Sequence, residues 1–142
     1  MNRGGWPWVA LTLALAVHVA DEAATDFLSV YNPTVLEIRR RFPFLPLPLF
    51  TFDVWLTGLI AAVILLLALS RFAFRGARWM RPASYVFGMF MMGNGLLHIA
   101  GSVYMGRLMP GVYSAPLLLG GSVWLLASVW RRRAASASTN AA

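Results

Sequence analysis

The stretch His18-Val19-Ala20-Asp21-Glu22, with Asp26 four residues further on, decides how this chain is read. It follows an apolar run, Val9 to Val17, and gathers one of two histidines and three of five carboxylates. On an α-helix, Glu22 stands one turn beyond His18 and Asp26 one turn beyond Glu22. At about 100° per residue, His18, Asp21, Glu22, Thr25, Asp26 and Ser29 share an arc of about 140°. The result is an ionisable stripe on an otherwise apolar helix. Ionisable groups inside a bilayer are costly, so they face a bundle interior and mark function.

The rest of the composition agrees with a membrane setting. The 142 residues are 59% hydrophobic with mean hydropathy +0.67, typical of a small helical membrane protein rather than a soluble domain. All twelve basic residues are arginine and the net charge is +7. The arginines lie between or after apolar runs, so they read as membrane-surface loops and not as a nucleic-acid face. Without cysteine there is no disulfide, thiolate metal site or redox dithiol.

Outward from the stripe, the chain divides into four expected spans, about 8–30, 51–70, 82–104 and 113–130, within one transmembrane unit covering 1–133. Trp6 and Trp8 suit a membrane interface and Pro7 a first helical turn. A secretory signal peptide competes for this segment, with Arg3 as its basic end and Ala14-Leu15-Ala16 as a cleavage site. A helical face continuing through Ser29 argues for retention. Tyr31-Asn32-Pro33 is expected to end the first helix. Thr34 to Glu37 then reads as a capping box, with Glu37 also pairing Arg41. The prolines at 43, 46 and 48 forbid a regular helix through 42–50, which is expected to lie at the interface or re-enter the membrane. Asp53 stands in the first turn of the second span, where a cap is the simple alternative to a ligand. Asn94 and His98 lie one turn apart in the third span. Gly88, Gly93, Gly95, Gly101 and Gly120-Gly121 would allow close helix approach. The Ala/Ser/Thr tail 134–142 is expected to be disordered.

Four spans put Arg3, the arginines at 71, 75, 78 and 81, and Arg131 to Arg133 on one side. Arg39, Arg40, Arg41 and Arg107 fall on the other. Eight against four favours a cell-membrane protein with both termini cytoplasmic. His18, Glu22, Asp26, Asp53, Asn94 and His98 then all fall in the outer half of the bilayer. Costly side chains at matched depth on separate helices imply one shared site in an all-α, four-helix membrane bundle.

Two histidines with several carboxylates and no cysteine form a ligand set for zinc, iron or manganese. His18, Glu22 and His98 would be the primary ligands. Asp26 and Asp53 would be further ligands or a general base, Asp21 would orient His18, and Asn94 would bond a ligand, substrate or water. Metal-assisted hydrolysis and metal-free acid–base isomerisation both remain open, on a lipid or isoprenoid-like substrate. A proton or cation relay, or a non-catalytic scaffold with polar residues fixing helix pairing, are the other classes.

His18-Val19-Ala20-Asp21-Glu22 also resembles the motif of the HXXEE family of small bacterial membrane proteins, with Asp21 replacing the first glutamate. Asn94-Gly95-Leu96-Leu97-His98 is similar to that family's second histidine segment. Leu108-Met109-Pro110-Gly111 matches its Tyr-x-Pro-Gly motif with leucine in place of tyrosine, and Ser114 follows where a small hydroxyl residue is usual. The resemblance covers roughly 18–114. It implies a multi-pass membrane protein and supports His18, Glu22 and His98 as site residues, without naming a reaction.

Overall fold

Pro7 sits in the first turn of α1 (Trp6–Ala24), where its missing N–H costs nothing. A computed structural model describes residues 5–139 and shows four further helices: α2 (Leu28–Arg41), α3 (Phe52–Arg75), α4 (Met80–Met105) and α5 (Ala115–Thr139). The all-helical expectation holds. Arg3 and residues 140–142 of the expected tail lie outside the described residues, and helix α5 itself continues to Thr139.

Helix α1 is central and packs on α3, α4 and α5. Leu11, Leu15 and Val19 are buried along it, against Leu118 and Leu125 of α5 and Phe87 and Met91 of α4. Trp6 meets Phe74 near the end of α3 while Phe27 stacks on Trp55 near its start, so α1 and α3 run antiparallel. Trp8 pairs with Phe87 and His18 with His98, so α1 and α4 run parallel. Trp6 is half-exposed, but Trp8 is a core residue and not an interfacial one. Trp8 is 2% exposed, and its indole N–H donates to the Leu66 carbonyl at 2.9 Å. Small residues admit the closest approaches. A Cβ on Gly95 would lie 3.1 Å from the Ala115 carbonyl, and one on Gly121 would lie 3.2 Å from the Leu11 Cα. Gly93 and Gly120, by contrast, meet nothing within 4 Å.

The first expected span, 8–30, is not one helix. Thr25-Asp26-Phe27 breaks it, and α1 and α2 meet at 87°. Asp26 adopts φ 55°, and the Phe27 amide returns to the Glu22 carbonyl at 3.0 Å. That is a Schellman stop with aspartate in the left-handed position usually held by glycine. The stripe therefore ends at Glu22. Tyr31-Asn32-Pro33 does not stop a helix either, because α2 runs through Pro33. No capping box forms: Thr34 donates back to the Val30 carbonyl, and Glu37 sits mid-helix paired with Arg41 at 3.0 Å. Asn32 accepts from the Phe50 amide and donates to its carbonyl, fastening the proline-rich segment. As the prolines require, that segment carries no helix.

Among the described residues, two helices are singly long and apolar enough to cross a membrane, Phe52–Arg75 and Met80–Met105; α1 and α2 qualify only as a bent pair. Ile60, Ile64 and Leu65 of α3 and Val86, Phe90 and Leu97 of α4 point outward. That is an inside-out distribution for a chain in water.

Candidate functional site

Helix α1 carries His18 and Glu22 one turn apart on its inner face, 0% and 5% exposed. Helix α4 presents Asn94 and His98, again one turn apart, against them. Glu22 Oε1 lies 3.1 Å from His98 Nε2 and 3.5 Å from His18 Nε2. The two imidazoles meet edge to face, centroids 4.7 Å apart. Asn94 Nδ2 lies 3.4 Å from His18 Nε2.

The outer ring atoms settle the tautomers. His98 Nδ1 lies 2.6 Å from the Pro110 carbonyl oxygen. A carbonyl only accepts, so Nδ1 carries a proton, and in the neutral form of the ring it is Nε2 that is left bare toward Glu22. His18 Nδ1 lies 2.8 Å from Ser114 Oγ. That hydroxyl donates to Asp21 Oδ2 at 2.7 Å, and the Ser114 amide donates to the same oxygen at 2.9 Å. With its one hydrogen given to the carboxylate, Ser114 Oγ accepts from His18 Nδ1–H. Both Nε2 lone pairs thus face a carboxylate oxygen. With both rings neutral, two Nε2 lone pairs and a carboxylate oxygen converge beside one donor, the Asn94 amide, a set of atoms that suits a cation.

A divalent ion fits the donor set. His18, Glu22 and His98 each offer one ligand atom, all within 4.8 Å of one another. Ligands about 2.0–2.1 Å from a tetrahedral ion lie roughly 3.3 Å apart. The 3.1 and 3.5 Å gaps to Glu22 bracket that spacing.

The turn between α4 and α5 closes the site. Gly111 adopts φ 81°, and a Cβ there would lie 2.9 Å from Glu22 Cγ, His18 Cε1 and His98 Cε1 alike. On another side, Phe27 packs 5.8 Å from His98 and stacks on Trp55.

A family model described as a protein of unknown function with HXXEE motif matches residues 8–125. The chain belongs to the HXXEE family. Its motif histidine and second acidic residue are His18 and Glu22, which face His98. The first acidic position, Asp21, turns instead to Ser114 and acts on His18 only through that hydroxyl. Among curated proteins and among solved structures nothing matches the chain.

Of the expected site residues, the fold brings together His18, Glu22, Asn94 and His98. Asp26 and Asp53 stand outside this HXXEE group. Asp26 is exposed in the α1–α2 turn, and Asp53 is exposed in the first turn of α3, where it faces the helix dipole without a capping bond. In the sequence Pro110, Gly111 and Ser114 stand out only as a motif. Their work, holding both rings from outside, depends on a turn that folds back over α1, which periodicity does not reveal.

Proposed function

We propose that this chain is an integral membrane protein that binds one divalent metal ion through His18 Nε2, His98 Nε2 and Glu22 Oε1 and uses it to hydrolyse a lipid or isoprenoid-like molecule. The observation carrying the reading is the convergence of two ring Nε2 atoms and a carboxylate oxygen, with both Nδ1 atoms engaged elsewhere. A bound divalent ion supplies Lewis acidity and lowers the pKa of water. Glu22 and the two histidines hold the charge, Pro110 and Ser114 fix the rings, and the Asn94 amide orients a polar group of the substrate.

The membrane assignment is supported by the outward apolar faces of α3 and α4. In this reading α1, α3, α4 and α5 stand in the bilayer. Helix α2 turns through 87° to lie along its surface, with Arg39, Arg40 and Arg41 in its last turn. The arginine excess at the opposite end supports a cytoplasmic side for that end.

One observation favours a second reading. The 3.1 Å gap between Glu22 and His98 is also a hydrogen-bond distance, so a proton could replace the metal and the triad could act in acid–base catalysis or proton transfer. Metal analysis of detergent-purified protein separates them. The first reading expects about one zinc, iron or manganese per chain, lost in His18→Ala, His98→Ala and Glu22→Gln. Metal-free wild-type protein that still transfers protons in liposomes would replace it with the second.

A further inference from the structure

At the end of the molecule remote from His98, the α3–α4 turn and the last part of α5 enclose a cavity of about 370 Å³. Arg78 from the turn, Arg81 from the first turn of α4 and Arg132 from α5 line it. Arg132 is half-buried and its guanidinium is oriented by Ser128, whose carbonyl accepts at 3.2 Å and hydroxyl at 3.3 Å. Ala77, Met80 and Val129 supply a carbon wall. No carboxylate stands among the described residues lining the cavity, because the chain's five acids all lie between positions 21 and 53. His98 is fourteen positions along α4 from Ser84 on the cavity wall, or about 21 Å by helical rise. The two sites therefore cannot share one small ligand.

We infer that this cavity is a receptor for a phosphate-bearing anion, its charge held by Arg78, Arg81 and Arg132. Guanidinium forks match phosphate oxygens in pairs. Three of them from three segments, beside an apolar wall, suit a phosphate attached to a hydrocarbon stem. Basic pockets between helix ends at a membrane surface take lipid headgroups by this chemistry. A lipid headgroup and free phosphate offer the same group, and the experiment separates them.

Full-length protein in neutral detergent is titrated with phosphatidylglycerol and with phosphatidylcholine, with bound lipid counted by native mass spectrometry. Inorganic phosphate is added as competitor. Phosphatidylglycerol should bind the wild type and phosphatidylcholine should not. Each arginine near a headgroup contributes about fivefold, so Arg78→Gln/Arg81→Gln should weaken binding about 25-fold. Arg39→Gln/Arg40→Gln, an equal charge change at the other end, should leave it unaltered. Displacement by millimolar phosphate identifies the bare anion as sufficient; resistance to it identifies the lipid with its stem. Both exposed arginines can be replaced without opening the core, and circular dichroism checks the fold. Binding equal in both double variants, or none by the wild type, overturns the inference.

Discussion

Gly111 offers the sharpest test of how the site is built, because Gly106 provides its control. Both have positive φ, 81° and 61°. A methyl group at Gly106 would meet nothing within 4 Å, whereas at Gly111 it would press on both imidazoles and on Glu22 at 2.9 Å. Gly106→Ala therefore carries only the left-handed backbone cost, about 1–2 kcal/mol. Gly111→Ala adds overpacking of about 1–3 kcal/mol, for a total of about 2–5 kcal/mol. The crowded rings cannot simply swing away, since Pro110 and Ser114 hold their Nδ1 atoms. Any movement that relieves the clash pulls the Nε2 atoms out of convergence. Denaturation in mixed micelles, followed by fluorescence of the six tryptophans, gives both stabilities, and metal content gives the second readout. Gly111→Ala should be the less stable of the two and lose its metal, while Gly106→Ala should keep it. Equal stability with full metal in both would refute the packing described around Gly111.

Asp21→Asn removes the charged acceptor of Ser114 and should weaken metal affinity about tenfold to a hundredfold, as measured by competition with a chelating dye. Asp21→Glu, the residue of the family motif, should restore it. Asp26→Gly and Asp53→Asn should both retain full metal, and Asp26→Gly should gain up to about 1 kcal/mol in micelle denaturation by relieving a left-handed aspartate. Ser122 Oγ is buried without a hydrogen-bond partner among the described residues. Ser122→Ala should therefore stabilise the fold by about 1 kcal/mol in the same assay.

Three helix ends show how far the sequence could be read. α3 and α4 stop at Gly76 and Gly106 with positive φ, and the following amide in each returns to the Phe72 or Ser102 carbonyl. Glycine suits that position, yet the expected span stops at 70, and α3 carries Arg71 and Arg75 inside the helix instead of in the loop. α1 ends in the same hydrogen-bond pattern, but its left-handed residue is Asp26. An aspartate on a continuing polar face reads as more stripe, so the break was invisible. Pro33 misled in the opposite sense, because α2 tolerates the missing N–H while Asn32 is anchored to Phe50. The pairs His18/Glu22 and Asn94/His98 were legible because each lies at helical spacing on one helix. That Asp21 and Pro110 would anchor the two imidazoles, one of them through Ser114, was not. Those bonds reach across 93 and 12 positions; the first needs the start of α5 brought back to α1, the second the turn after α4 folded over His98. Trp8 shows the same limit: only the packing of α3 and α4 distinguishes a core indole from an interfacial one.

In the proposed metal centre His18, His98 and Glu22 hold one ion through two imidazole nitrogens and a carboxylate. X-ray absorption at the metal edge of purified, metal-loaded protein tests it most directly. Two imidazole scatterers and oxygen ligands at about 2.0–2.2 Å are expected, with one imidazole lost in His98→Ala. A first shell of oxygen alone, or a spectrum unchanged in His98→Ala, would contradict it.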